Sequence, residues 1–213
     1  METERMTDGQ ERRDRGPGPD GWGQRYSAGD TPWDLGRPHP ELEHRIAAGT
    51  LAPPGPGARA YVPGCGRGHD ARALARAGWH VVAVDLVEEL GSWFEPTGKG
   101  ARFLAGDALE HEEDAPFELV FEHTFFCAIP PERRGEYGDM AARLTRPGAR
   151  LAAIVFPVGR PADMGGPPWG IATHDLAEAL GARFRLVVDE PAARPAARRS
   201  WDERFALFER AVS

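Results

Sequence analysis

Three glycines and a distant carboxylate are the residues whose types and spacing best predict chemistry in this sequence. Gly64, Gly66 and Gly68 occur within "YVPGCGRGHD", between an apolar run and a helix-forming segment. Glycines at such a place let the backbone turn sharply and let a ligand approach the N–H groups that begin a helix. Asp85 ends the next apolar run, "HVVAVD", where a carboxylate can accept hydrogen bonds from ribose hydroxyls. The pattern predicts a nucleoside cofactor at the carboxyl ends of the strands.

The spacing of the glycines favours one kind of nucleoside cofactor. A dinucleotide fingerprint, G-x-G-x-x-G/A, needs a small residue at the position that His69 occupies. The G-x-G-x-G form found here is typical of methyltransferases that use S-adenosylmethionine, which has no phosphate to bind. Asp107, in "GDA" after the third predicted strand, is placed where an acid commonly meets the adenine. The alternative is a tight strand-to-helix turn that binds nothing, and Asp85 and Asp107 together weigh against it.

Strand-like and helix-like segments alternate after residue 58, and these elements must position the glycines and acids. The predicted strands are "ARAYVPGC", "HVVAVD", "ARFLAGD", "FELVFEHT" and "RLAAIVFP", and the predicted helices are "HDARALARAG", residues 131–145 and residues 173–181. Strands that alternate with helices predict βαβ units and a mostly parallel sheet covered on both faces. Two successive strands at the end, "RFRLVVDE" and "DERFALFER", predict an antiparallel hairpin on one edge.

Length and composition predict one domain with appendages. The chain has 213 residues, of which 41% are hydrophobic, enough to bury a single α/β core. Residues 1–20 mix both charges with Gly and Pro and predict a disordered tail. We expect residues 21–213 to form a single domain, in which residues 21–50 precede the core and residues 58–213 build it. The break "APPGPG" separates the two parts.

Charge and residue usage exclude several functional classes. The net charge of -7, with acidic and basic residues interspersed, argues against a surface for nucleic acid or anionic membranes. No apolar run approaches the roughly 18 residues that span a bilayer, and the first residues lack the apolar centre of a signal peptide, so we expect a cytoplasmic protein. Cys65 and Cys127 are too far apart to indicate a disulfide framework or a zinc site, and the seven histidines are scattered. We therefore expect no metal site.

Several stretches together carry a resemblance to a known family. They are "TPWDLGRPHPEL", "VPGCGRGHDARALARAGWHVVAVD", "EHTFFCAIPPERR", "RPGARLAAIVFP" and "GGPPW". From about residue 22 to residue 210 the chain resembles the thiopurine S-methyltransferase-like family, which includes thiol, thiocyanate and halide ion methyltransferases. The resemblance implies a Rossmann-like α/β fold of the class I S-adenosylmethionine-dependent methyltransferases. It also implies a seven-stranded, mostly parallel sheet, and an N-terminal lid over the site formed by residues 21–50.

The resemblance also implies roles for individual residues. Trp22, Tyr26 and Trp33 match aromatic positions near the cofactor, Gly64 and Gly66 the glycine loop, Asp85 the ribose acid and Asp107 the acid beside the adenine. At the end of the fourth strand, Glu122 and His123 stand where halide and thiol enzymes usually carry "D-Y". We expect Glu122 to bind the cofactor. This departure, like Tyr26 in place of a Trp, leaves the predicted cofactor site intact. It bears on which molecule accepts the methyl group.

The acceptor side of the site has several candidate residues, each with a structural alternative. His123 is the best-placed general base for a thiol, whose pKa is about 8.5, or it makes a structural hydrogen bond. Phe126 lines the acceptor pocket or belongs to the core, and Trp169 lies at the rim of the site or in a surface turn. Arg37, beside Asp34, meets the substrate or fixes the lid to the domain.

Three functions agree with these residues. The first is transfer of a methyl group from S-adenosylmethionine to a small soft nucleophile, a thiol or other sulfur acceptor or a halide. The second is methylation of an oxygen or nitrogen of a specialised metabolite, and the third is cofactor binding without turnover. We expect a small-molecule acceptor, no nucleic-acid or membrane partner, and a monomer or weak homodimer.

Overall fold

The computed structural model of the chain describes residues 18–94 and 100–212. Its α-helices in this part are α1 (Gly18–Ala28), α2 (Pro40–Ala47), α3 (His69–Arg76), α4 (Arg134–Leu144) and α5 (Thr173–Leu180). Its strands are β1 (Arg59–Pro63), β2 (His80–Asp85), β3 (Ala101–Ala105), β4 (Phe117–His123), β5 (Thr145–Val158), β6 (Phe184–Pro191) and β7 (Asp202–Arg210). A 3₁₀ helix at Glu88–Trp93 connects β2 to β3. No helix of the described residues is both long and apolar enough to cross a membrane.

The strands form one seven-stranded sheet in the order β3-β2-β1-β4-β5-β7-β6. The first five are mutually parallel, while β7 pairs antiparallel with both β5 and β6. This confirms the predicted mostly parallel sheet with antiparallel strands at one edge. The carboxyl ends of β1, β2, β3 and β4 therefore share one edge of the sheet, and the start of the antiparallel β7 reaches the same edge. Ligands of open α/β sheets bind at such an edge.

Helices cover both faces of the sheet, which explains why its central strands read as continuous apolar runs. On one face, α2 and α3 bury Leu42 and Leu74 in a cluster that also contains Trp79. On the other face, α4 and α5 bury Tyr137 and Leu176 in a second cluster. In β2, all four residues from 81 to 84 are buried, whichever face their side chains take.

Local signals explain where the helices begin and end. Helix α2 has Pro40 at its first position, and the His39 ring accepts a hydrogen bond from the backbone N–H of Glu41, which caps the helix. Helix α3 follows the glycine loop directly and ends before Gly78, whose φ of 100° closes the helix.

Helix α1 is the largest difference from the sequence prediction, which placed residues 18–20 in the tail and predicted no helix among residues 18–28. The segment "GPDGWGQRYSA" contains glycines that disfavour a helix on their own. Tertiary contacts compensate, because Trp22 and Tyr26 of this helix pack edge-on against Trp33. The remainder of the predicted disordered tail, residues 1–17, lies outside the described residues.

Candidate active site

A cavity of about 310 Å³ lies at the carboxyl ends of the parallel strands, beneath α1 and the segment that follows it. This volume falls within the range of small-molecule binding sites. The walls come from the glycine loop, the residues after β2, β3 and β4, and helix α1. The lining residues that carry the argument below are Trp22, Arg25, Tyr26, Trp33, Gly64, Asp85, Asp107, Phe125, Cys127 and Phe156. The cavity therefore joins predicted cofactor residues from the core to predicted aromatic residues from the N-terminal segment.

Two positions of the glycine loop require glycine, because each has a positive φ and a close neighbour where a Cβ would lie. Gly64 has φ of 54°, and a Cβ there would lie 2.3 Å from Cδ2 of Phe125, so a side chain would push this ring into the cavity. At Gly66, whose φ is 53°, a Cβ would lie 2.9 Å from the Tyr26 hydroxyl. The loop thus allows the turn after β4 on one side and the N-terminal segment on the other to approach its backbone closely.

Asp85 stabilises this loop from the end of β2. Its Oδ2 accepts a hydrogen bond from the Gly66 N–H at 2.8 Å, and its Oδ1 accepts one from the Val87 N–H at 3.2 Å. Each carboxylate oxygen has a further lone pair that can accept a hydroxyl proton. Burial raises the pKa of Asp85, while the backbone N–H groups favour its charged form. The side chain therefore sits in the cavity wall with acceptor capacity to spare.

Asp107 lies across the cavity, after β3. Its Oδ1 accepts a hydrogen bond from the Leu109 N–H at 2.9 Å, and its Oδ2 lies 3.5 Å from the guanidinium of Arg133. Arg133 makes its shorter ion pair with Glu136, at 2.6 Å. Both acids predicted to face an adenosine thus line one cavity.

Three aromatic side chains of the N-terminal segment close the opposite wall. From here on the lid means residues 18–37, which overlap the predicted lid of residues 21–50. The rings of Trp22 and Trp33 meet edge to face with centroids 5.2 Å apart. The Trp33 indole N–H donates to the Tyr26 hydroxyl at 3.2 Å, and burial raises the pKa of Tyr26, which stays protonated. The guanidinium of Arg25 lies 4.4 Å from the Trp33 ring centroid, a cation–π distance.

Asp34 fixes the lid to the glycine loop. Its carboxylate pairs with the guanidinium of Arg67 and lies 3.3 Å from Nε2 of His69. The nearby His69 ring, together with the hydrogen bonds from the Gly36 N–H and Arg67, lowers the pKa of Asp34 well below its usual range. Arg37, predicted to meet the substrate, lines a smaller adjoining cavity of about 50 Å³.

His123, the predicted base, also lines the smaller cavity and has both ring nitrogens engaged. Its Nδ1 lies 2.6 Å from Asp70 Oδ2, and its Nε2 lies 2.8 Å from an N–H group of Arg199. Because an arginine only donates, the Nε2 lone pair accepts and the ring proton resides on Nδ1. Burial lowers the pKa of His123 to about 4, and the Arg199 charge acts in the same direction while Asp70 opposes it. This geometry favours the structural alternative.

Glu122 and Phe126 lie behind the cavity wall rather than in it. Glu122 Oε1 accepts hydrogen bonds from the Phe125 and Phe126 N–H groups, at 3.0 and 2.9 Å. Burial raises the pKa of this carboxyl to about 7. The carboxylate therefore shapes the turn after β4, and the turn presents Phe125 to the cavity while Phe126 packs into the core against Tyr137.

The segment "GGPPW" meets the cavity through its prolines. Pro167 and Pro168 belong to the lining, while Trp169 packs its ring on Gly166, where a Cβ would come within 2.2 Å. The Trp169 N–H donates to the carbonyl of Cys127 at 2.8 Å, so this segment is tied to the turn after β4.

Sequence reasoning missed Arg25 and Phe156 as lining residues. Arg25 follows Trp22 by three residues, which is close to one helical turn, so recognising α1 as a helix puts both on one face. Phe156 belongs to the most strand-like run of the sequence, and the apolar residues around it predict a place in the core. Its place at the cavity depends on where β5 ends, which the sequence pattern leaves open.

Solved structures share this fold over almost the whole chain. One is a 1,6-didemethyltoxoflavin-N1-methyltransferase from Burkholderia thailandensis with bound S-adenosylhomocysteine; its TM-score is 0.74, with 20% identity over 100% of this chain and 94% of that chain. Another is the magnesium protoporphyrin IX methyltransferase of Synechocystis PCC 6803 with bound S-adenosylmethionine, with a TM-score of 0.60 and 17% identity over 99% of this chain and 87% of that chain. The fold is therefore the Rossmann-like fold of the class I methyltransferases, as predicted.

Sequence relatives narrow the class to a family. The profile of the thiopurine S-methyltransferase family matches residues 18–204. "Probable thiol methyltransferase 2" of Arabidopsis thaliana is 37% identical over 166 residues, which cover 75% of this chain and 71% of the relative. "Thiocyanate methyltransferase 1" of the same plant is 32% identical over 184 residues, which cover 82% and 78%. The chain belongs to the thiopurine S-methyltransferase family and is a methyltransferase whose cofactor is S-adenosylmethionine.

The residues present fit this cofactor. Asp85 offers free lone pairs to ribose hydroxyls, and Asp107 offers a carboxylate to an amino group at the other wall. The apolar residues between them, Leu86, Ala108 and Leu109, suit the faces of a flat base. Trp22, Tyr26 and Trp33 face the remaining space with aromatic surface that attracts a sulfonium.

Proposed function

We propose that this protein transfers the methyl group of S-adenosylmethionine to the sulfur of a small thiol, or to a comparably soft anion such as a halide. One observation carries the proposal: the described residues that line the cavity include neither a histidine nor a lysine. The acids that do line it, Asp85 and Asp107, are bonded to backbone N–H groups. Their remaining lone pairs face the hydroxyls and the amino group of the cofactor, so the cavity leaves no base for an acceptor. Such a site suits an acceptor that reacts as an anion.

When bound, the cofactor supplies a methyl group on a positively charged sulfur. The aromatic faces of Trp22, Tyr26 and Trp33 complement that charge and offer no competing nucleophile, each at roughly 0.5 to 2 kcal/mol. Attack by an anion cancels charge in the transition state, so the exclusion of water by the lid favours the reaction. Orienting the two reactants supplies several kcal/mol more, up to roughly 7 to 11 in favourable cases.

Two lining groups that can carry protons are unsuited to act as bases. Burial raises the pKa of the Cys127 thiol to about 12, and its Sγ lies 3.5 Å from the carbonyl of Thr124. The Tyr26 hydroxyl already accepts a hydrogen bond from Trp33, and its pKa is raised too. A thiol acceptor would therefore enter as the thiolate already present in solution. Its reactivity follows its own pKa, which is about 8.5 for a simple thiol.

The decisive experiment is turnover with methyl-labelled S-adenosylmethionine and a panel of acceptors. The panel contains iodide, thiocyanate, hydrosulfide, aryl thiols, phenols and amines. We expect product with the sulfur acceptors and iodide, and none above background with phenols and amines. Turnover confined to phenols or amines supports the second function and rejects this proposal. Tight cofactor binding without any product would support cofactor binding without turnover.

A pair of tryptophan variants links the activity to the cavity. Trp33→Phe removes an indole that lines the cavity, whereas Trp93→Phe changes a tryptophan that is 51% exposed and lies outside it. We expect Trp33→Phe to lower kcat/KM for iodide about 5- to 20-fold, since a smaller aromatic face holds the sulfonium less well. Equal activities of the two variants would mean that the reaction does not use this cavity.

We further propose that the enzyme works in the cytoplasm on small molecules, without nucleic-acid or membrane partners, as a monomer or weak homodimer. The interspersed charges behind the net charge of -7 support this, as do two free cysteines, Cys65 and Cys127. Size-exclusion chromatography with light scattering tests the oligomeric state, and a stable large assembly would contradict it.

A further inference from the structure

Five residues form a closed circuit of hydrogen bonds beside the lid, which we call the buried ring. Its members are His39, Asp70, His123, Arg199 and Glu203. Asp70 accepts from the His39 backbone N–H at 2.7 Å and lies 2.6 Å from His123 Nδ1. Arg199 lies 2.8 Å from His123 Nε2 and donates to Glu203 Oε1 at 2.6 Å. The other oxygen of Glu203 lies 3.1 Å from His39 Nε2, which closes the ring.

The members come from five separate parts of the fold. His39 precedes α2, Asp70 begins α3, His123 ends β4, Arg199 lies between β6 and β7, and Glu203 begins β7. Their side chains are largely buried: His39, Glu203 and Arg199 expose 0%, 1% and 5%. His123 and Asp70, which line the smaller cavity, expose 10% and 15%. The ring therefore joins the end of the N-terminal segment, the glycine-loop helix and the C-terminal strands at one point.

The proton positions in the ring follow from its donors. The His39 Nδ1 accepts from the Glu41 N–H, so its proton resides on Nε2 and is donated to Glu203. His123 carries its proton on Nδ1 because Arg199 faces Nε2. With both imidazoles neutral, every link has one donor and one acceptor. Arg199 then carries the ring's one positive charge, between the carboxylates of Asp70 and Glu203.

Arg199 is also the member that contacts the cavity walls. One of its N–H groups lies 3.5 Å from the carbonyl oxygen of Trp33, and its guanidinium carbon lies 4.2 Å from the Phe156 ring centroid. Both Trp33 and Phe156 line the cavity, on the lid and on β5. A shift of this guanidinium would therefore move two walls of the acceptor side.

We propose that Arg199 is a positioning residue for methyl transfer, which sets the position of Trp33 and Phe156 around the acceptor from its place in the buried ring. The expected effect of Arg199 on turnover rests on the proposed function. Its expected effect on the position of Trp33 in the lid does not. Asp34 anchors the same stretch of the lid to the glycine loop, so Trp33 is held from two sides. Arg199 acts through these walls and not on the reacting atoms.

A lysine cannot replace this arginine. The planar guanidinium bonds Glu203 through one nitrogen and reaches His123 and the Trp33 carbonyl through another, while its carbon lies 4.2 Å from the Phe156 ring centroid. An ammonium group keeps the charge but is a single point, which can approach Glu203 or His123 and does not stack in the same way. Arg199→Lys thus separates the shape of the side chain from its charge.

The test compares Arg199→Lys with Arg198→Lys, a control at the exposed neighbouring position. Urea unfolding reports whether each variant folds, and calorimetry with S-adenosylhomocysteine reports cofactor affinity without turnover. Steady-state kinetics with iodide give kcat and KM for the acceptor. Acrylamide quenching, measured with and without an added Trp33→Phe change, gives the accessibility of Trp33 by difference.

We expect folded Arg199→Lys to bind S-adenosylhomocysteine within about 3-fold of the parent, while kcat/KM for iodide falls about 10- to 100-fold. Trp33 should become more accessible to acrylamide, and Arg198→Lys should match the parent throughout. Unchanged quenching and kinetics in a folded Arg199→Lys would overturn the proposal. So would equal losses of cofactor affinity and turnover, which indicate general loosening. If the parent methylates nothing on the panel, the proposed function fails. The quenching result still decides whether Arg199 positions Trp33 of the lid.

Discussion

The two halves of the cavity are built by different means. On the core side, Gly64, Asp85 and Asp107 stand at the ends of parallel strands, and backbone hydrogen bonds orient both acids. On the lid side, Trp22 and Trp33 come from a glycine-containing helix and an irregular segment, held by side-chain contacts. One substitution rarely alters the backbone geometry of a sheet, whereas one substitution is enough to remove a side-chain contact. We expect core substitutions to affect cofactor affinity and lid substitutions to affect turnover.

The largest expected effect is at Asp85. Asp85→Ala removes a carboxylate that holds Gly66 and Val87 and still has lone pairs for a ribose. If both ribose hydroxyls donate to this carboxylate, losing the two hydrogen bonds lowers the affinity for the cofactor by about 100-fold or more. Calorimetry with S-adenosylhomocysteine checks this. Asp139→Ala, at an exposed acid on α4, is the control. An Asp85→Ala protein with parental affinity would contradict the assignment of the core half.

His123 tests whether the buried ring is structural or catalytic. His123→Asn keeps a hydrogen-bonding group near Asp70 but gives up the bond to Arg199. We expect kcat/KM to fall by one common factor of about 10 for iodide and for an aryl thiol, since neither needs a base from the protein. Rates with the thiol should rise with pH according to the thiol's own pKa in both proteins. A loss limited to the thiol, with iodide spared, would restore His123 as the base.

Asp34 tests the anchoring of the lid to the core. Asp34→Asn weakens the contacts with Arg67 and His69 but leaves the core half unchanged. We expect about a 5- to 10-fold lower kcat/KM for iodide, with nearly parental affinity for S-adenosylhomocysteine. Asp114→Asn, at an exposed acid between β3 and β4 and outside the cavity lining, serves as the matched control. A large loss of cofactor affinity in Asp34→Asn would show that the two halves are not separable.

Asp34 also predicts a pH dependence with a definite sign. Its folded-state pKa is lowered by His69 and Arg67, so its stabilising contribution is complete above the unfolded pKa of about 3.9. The contribution is lost as the pH falls towards the folded-state pKa. Urea unfolding should show that Asp34→Asn costs stability at neutral pH and less at about pH 3.

The smallest expected effect on activity is at Glu122, where stability changes instead. Its folded-state pKa is about 7, so the folded protein binds more protons than the unfolded chain at pH values between about 4.5 and 7. Stability must therefore fall as the pH rises through this range, by about 2 kcal/mol from pH 5.5 upwards. Glu122→Gln keeps an oxygen for the Phe125 and Phe126 N–H groups and removes the charge.

Unfolding of parent and Glu122→Gln at several pH values isolates this contribution. Relative to Glu122→Gln, the parent should lose stability as the pH rises from about 4.5 to 7 and then keep a constant difference above pH 7, because the folded parent holds its proton in that range while the unfolded chain has released it. A difference that stays constant with pH would show that Glu122 does not titrate in this range. Turnover of iodide should remain within about 3-fold of the parent, because the turn that carries Phe125 is preserved.

Sequence patterns were sufficient for the core half of the site. Glycines at 64 and 66 have a steric requirement that few other residues satisfy, and β2 as a buried strand places Asp85 at its carboxyl end. Parallel strands bring their carboxyl ends to one edge of the sheet. A prediction of the strands therefore also predicts which strand-end residues lie near one another. The mostly parallel sheet and its antiparallel edge followed from the same periodicities.

The lid half and the acceptor side depended on tertiary structure. Whether Phe125 or Phe126 faces the cavity depends on how Glu122 bonds the turn after β4, and consecutive aromatics carry no sign of that. The lone pair of His123 is occupied by Arg199, 76 residues further along the chain. Such pairs leave no periodic trace in the sequence, because packing of whole elements brings them together. The sequence by itself determined the fold and brought Gly64, Asp85 and Asp107 to one cavity at the edge of the sheet, through local steric and periodic requirements. Tertiary packing decided how the lid is held and which side chains surround the acceptor.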